Sequence, residues 1–131
     1  MAGNLVVARF SDGTTRKGLS LDVDPRRAVF HVIEGDTSTE VKLKDLKAIF
    51  FVKSLEGDSK HEEAKEPVEG DPRLIGTRLV RVRFRDGEEI VGLMNRYPPN
   101  TPFFFMLPVD AASNNLRILV NRSVVKDVAA L

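Results

Sequence analysis

The amino-acid sequence predicts an all-β protein of two tandem, five-stranded small barrels related by an internal repeat. Three observations lead there. Residues 7–19 and 81–93 agree at Arg9 and Arg83, Phe10 and Phe84, Asp12 and Asp86, Gly13 and Gly87, Gly18 and Gly92, and Leu19 and Leu93, at a constant spacing of 74. A repeat this strict in 131 residues implies two versions of one unit of roughly 55 residues, too small to bury much core alone. Neither half holds ten residues of helical periodicity, whereas short runs alternate apolar and polar residues with period two. Finally, a glycine interrupts the second strand of each unit (Gly18, Gly92), where a strand bends or meets another backbone closely. Five short strands with such a bend suit a small, strongly curved barrel.

Each element has its own warrant. Residues 5–10 form a short apolar run that stops at Ser11-Asp12-Gly13, and Asp-Gly supplies the positive φ that a tight hairpin needs. Beyond the turn, Leu19, Leu21 and Val23 share one face of a second strand. Asp24-Pro25 turns the chain, because proline presets φ there. Residues 28–33 give the third strand, Gly35-Asp36 a turn, and residues 40–43 the fourth strand. Lys44-Asp45-Leu46 is one tight turn before a fifth strand over residues 48–52. The second unit repeats the programme: strands over 77–84, 89–95, 103–107, 116–120 and 124–129, with a proline-rich turn through Pro98, Pro99 and Pro102.

Charge marks the boundaries. The formal net charge is +1, but it divides into +2 over residues 1–53, −5 over 54–72 and +4 over 73–131. Residues 54–75 therefore read as an acidic, solvated linker between barrels at 1–53 and 76–131. With 42% apolar and 30% charged residues the composition is globular. The absence of cysteine excludes disulfides, thiol nucleophiles and thiolate metal sites. No apolar run approaches the roughly 20 residues of a membrane helix. The start, Met1-Ala2-Gly3-Asn4, lacks the features of a secretory signal, so a cytoplasmic location is expected.

The pattern of an apolar strand, Phe-x-Asp-Gly, a following Gly-Leu, three more strands and a tight turn before the last strand resembles the Sm-like fold, and is also similar to SH3-like barrels. Residues 43–53 and 104–115, the latter with Ser113-Asn114-Asn115, resemble an uncharacterised bacterial family carrying this tandem. Resemblance to Sm-like RNA chaperones implies RNA binding, but their Lys-His pair in the last hairpin is replaced here by Lys44-Asp45 and Arg122-Ser123.

Catalysis is not expected. His31 in a strand and His61 in the linker have no ligand at useful sequence spacing, no glycine-rich loop precedes a helix, and Asp12 and Asp86 have turn roles. No cofactor, metal or membrane is implied. Two runs, 48–52 and 103–107, are apolar on both faces, so the units should bury them against each other, in a homo-oligomer, or under a protein partner. The expectation is a non-enzymatic binding or scaffold module. The alternative is a binder of single-stranded RNA or DNA, for which Arg81, Arg83 and Arg85 line one face of a strand and Arg122 lies in a turn. Tyr97 beside two prolines offers a stacking surface, and Phe104 completes the candidate binding set.

Overall fold

The computed structural model describes residues 3–57 and 59–131. Among the described residues, ten antiparallel strands and three single-turn 3-10 helices make up the regular structure. The strands are β1 (Asn4–Phe10), β2 (Thr15–Ser20), β3 (Val29–Glu34), β4 (Thr37–Lys42) and β5 (Leu46–Val52), then β6 (Arg78–Phe84), β7 (Glu89–Met94), β8 (Phe103–Pro108), β9 (Asn115–Asn121) and β10 (Val125–Ala130). They form one sheet in the order β10-β6-β7-β8-β9-β5-β1-β2-β3-β4. Each half of the repeat thus places its fifth strand beside its first, and β5 pairs with β9 where the halves meet. Among the described residues no helix is long and apolar enough to cross a membrane.

Repeated residues build repeated geometry. Phe10 N–H donates to Thr14 O and Phe84 N–H to Glu88 O, both at 2.8 Å. In each turn the aspartate Oδ1 accepts a backbone N–H two residues on, from Thr14 and from Glu88, at 2.9 Å. The glycines that follow have φ of 93° and 94°, a conformation costly for a residue bearing Cβ. Gly18 and Gly92 serve close approach instead: a Cβ would lie 2.4 Å from Ile33 O in one half and from Leu107 O in the other.

The doubly apolar run around β5 is explained by the seam. All seven of its residues are buried. Ile49 and Phe51 enter a core with Val6, Phe30, Val32 and Leu43 of the first half, while Ala48, Phe50 and Val52 enter a core with Val80, Val82, Phe84 and Met106 of the second. β9 reciprocates, sending Leu119 to the first core and Ile118 and Val120 to the second. Period-two alternation delivers successive side chains to opposite faces, so the stretch of β5 between the two cores, residues 48–52, must be apolar at every position. Lys47, between them, lies under 9% exposed.

The acidic linker is less free than its composition implies. Asn114 accepts from Ser54 N–H at 3.1 Å and donates to Ser54 O at 2.9 Å. Arg73 donates to Pro108 O and Val109 O, each at 2.9 Å. Both ends of the segment are therefore tied to the connection between β8 and β9.

Candidate functional site

Three places gather chemistry. The first is the seam. Lys47 Nζ on β5 lies 2.6 Å from Asp86 Oδ2, also donates to Glu88 Oε1, and sits 4.6 Å from the centre of the Phe84 ring. Burial alone would lower the Lys47 ammonium, but its bonds to Asp86 and Glu88 outweigh that and raise it. The same contact with Lys47 holds Asp86 below the usual carboxylate range. Arg9 adds a 3.4 Å pair with Glu88 and lies 5.1 Å from the Phe50 ring. A pocket of about 530 Å³ opens beside these groups, floored by Val7, Phe50, Val52, Ile90 and Ile118 and closed by linker residues Leu55, Glu63 and Lys65.

The second is an open cleft of about 700 Å³ along β10, lined by Val125, Lys126, Asp127 and Val128, by Pro98, Pro99 and Pro102, and by Arg85 and Arg122. β10 is the counterpart of β5, 79 positions later in the chain. Whereas β5 lies between β1 and β9, β10 has a neighbour on one side only. Its half-buried residues also differ in kind: Asp127 stands where β5 has Ala48, and Ala129 where it has Phe50. The opposite end of the sheet, β4, carries Thr37, Ser38, Thr39, Glu40 and Lys42 at its edge.

The expected binding residues scatter. Arg83 Nε lies 2.8 Å from Glu89 Oε2, with Asp127 3.8 Å from its guanidinium, and Arg81 Nε is 3.9 Å from Glu89. Arg81 and Arg83 are thus paired within their own sheet and not with the linker. Arg85 donates to Ser123 O at 3.2 Å, which brings it to the β10 cleft with Arg122. Tyr97 staples its loop: its hydroxyl donates to Val128 O at 3.2 Å and Arg78 lies 5.4 Å from its ring. Phe104 is 6% exposed and packs in the second core. Of the β8 aromatics Phe105 reaches solvent, with Arg117 stacked 4.7 Å from its ring.

One family model matches residues 2–131, nearly the whole chain. The chain belongs to a family of unknown function, DUF6982. No curated protein and no solved structure matches it.

The third place in the DUF6982 chain joins residues far apart in sequence. His61 Nε2 lies 2.7 Å from Asp110 Oδ2 and 4.0 Å from Glu63 Oε1, and the three ligand atoms fall within 4.8 Å of one another. Sequence spacing left His61 without a partner, because Asp110 is 49 residues away. Asp110 is nearly buried and accepts N–H bonds from Ala64 and Ala112, each at 2.8 Å. The Ala64 bond above all holds its carboxyl below the usual range. The three groups are of the types that hold a divalent cation, and as they stand His61 and Ala64 tie the linker to the connection between β8 and β9 through Asp110. His31 is likewise paired, through Nδ1, with Asp22 at 2.6 Å.

The sequence missed Lys126 as a member of the β10 cleft and Lys47 as the seam ion. Lys126 sits 41 residues from Arg85, and Lys47 sits 39 from Asp86. Only the register of β10 with β6 and of β5 with β9 closes those gaps.

Proposed function

We propose that the DUF6982 chain is a non-enzymatic binding module of two Sm-like small barrels in tandem that docks a protein partner. The strand order shared by the halves, with the fifth strand returning beside the first, suits such barrels. A single observation carries the docking reading: β5 holds an added strand, β9, and its counterpart β10 stands open beside a cleft. Open sheet edges accept extended segments through main-chain hydrogen bonds, and alternate side chains set specificity. The charged groups near one another have structural work: aspartates close turns, Lys47 locks the seam and Asp110 holds the linker. Selection from a display library of random extended peptides tests the module. Enrichment of a peptide class against the folded chain is expected, and its absence ends the reading.

A second reading has its own observation: Arg85, Arg122 and Lys126 line one cleft. Three cations suit a nucleic-acid backbone. Binding of random single-stranded RNA that weakens steeply as salt rises would favour it.

A further inference from the structure

Resting on the docking reading, we infer that the β10 cleft takes an extended acidic segment of another protein, added as a strand alongside β10. The seam supplies the geometry. There β9 lies antiparallel to β5 through Ala48↔Val120, Ile49↔Leu119, Phe50↔Ile118 and Phe51↔Arg117. The corresponding β10 positions run from Asp127 to Ala130, and the cleft takes in the first two of them together with Val125 and Lys126. A lone edge strand leaves backbone N–H and C=O groups turned outward, matched by the backbone of another extended chain; on β10 the Val128 carbonyl already accepts from the Tyr97 hydroxyl at 3.2 Å, and an added strand displaces that bond.

Charge chooses the occupant. Arg85, Arg122 and Lys126 face the cleft, and its one acid, Asp127, is paired with Arg83 at 3.8 Å. Among the described residues neither Arg122 nor Lys126 has an ion-pair partner. Toward its end β10 offers only small side chains, Ala129 and Ala130 in place of Phe50 and Phe51, so apolar contact for the incoming strand is confined to Val128 and the prolines of the cleft, and its carboxylates set the preference.

A second copy fits poorly. Its β4 would take the place of β9, bringing Thr39 where Ile118 stands. By the same equivalence, Arg81 would meet Arg16 where the seam sets Val7 near Ile90, placing like charges together. A nucleic acid lacks a stacking platform: no aromatic ring lines the cleft, and Tyr97 is already bonded to Val128.

The test uses the full chain and fluorescent peptides of about eight residues, long enough for a typical strand. An alternating Val/Glu peptide is compared with its Val/Gln counterpart, a Val/Lys peptide and a uridine oligonucleotide by fluorescence anisotropy. Amide hydrogen exchange locates the contact. The acidic peptide should bind best, protect amides of β10, and lose about tenfold in affinity in the Arg122→Glu, Lys126→Glu double variant. Both positions are exposed, and an unchanged melting curve shows that the variant folds. Equal binding of acidic and neutral peptides, protection away from β10, or preference for the oligonucleotide overturns the inference. Selected peptides that bind but are not acidic would leave the module intact and remove only the charge rule.

Discussion

At the scale of single residues, Lys47 joins the two halves by charge. Its ammonium is nearly covered while Asp86 and Glu88 remain partly in water, so removal leaves two carboxylates that solvent can still reach. Lys47→Met should therefore cost about 2 kcal/mol, below the figure for a fully buried pair. The pH dependence has a definite sign. Because Asp86 is lowered in the folded chain, its contribution is present above the ordinary carboxylate range and fades as pH falls through the lowered value. Lys47 is raised, so its share persists below the ordinary ammonium value and fades as pH rises through the raised one. Urea unfolding across pH should show both limbs flattened in the variant. Limbs that match those of the parent chain would rule out the seam ion as their source.

At the scale of elements, the glycines of the second strands separate two causes. Gly92→Ala would place a methyl group 2.4 Å from the Leu107 carbonyl, and a backbone atom cannot swing aside. The cost should be about 3 kcal/mol, with a similar loss for Gly18→Ala against Ile33. Gly13→Ala meets no atom within 4 Å and strains only φ, so about 1 kcal/mol is expected. Equal losses at Gly13 and Gly92 would contradict the close approach. These glycines were legible from the repeat, since a residue kept at both Gly18 and Gly92 must answer a need common to both halves. The identity of the neighbouring backbone was not, because pairing of β2 with β3 and of β7 with β8 is not written in periodicity.

At the scale of the molecule, the cores are shared, and the consequences cross the midpoint of the chain. Phe50 belongs to the first half by sequence and to the second core by packing. Phe50→Ala should cost about 3–4 kcal/mol, and hydrogen exchange should rise in β6 to β10 as well as in β5. Residues 76–131 alone lack Ala48, Phe50 and Val52 and should not fold cooperatively, whereas the whole chain should unfold in one transition. Two well-separated calorimetric transitions would falsify the shared core.

The sequence by itself determined the β class, the repeat, the Asp-Gly turns and the places where apolar residues occupy both strand faces, because these are consequences of backbone sterics and side-chain alternation. It located Arg85 and Arg122 without showing that they line one cleft, and it offered Phe104 for binding without showing which core it enters. Only the tertiary structure decided that β9 covers β5, that His61 reaches Asp110, and that β10 lies open beside three cations. Those facts depend on strand order and register, which bring together residues dozens of positions apart, and local chemistry carries no record of which edge another strand will choose.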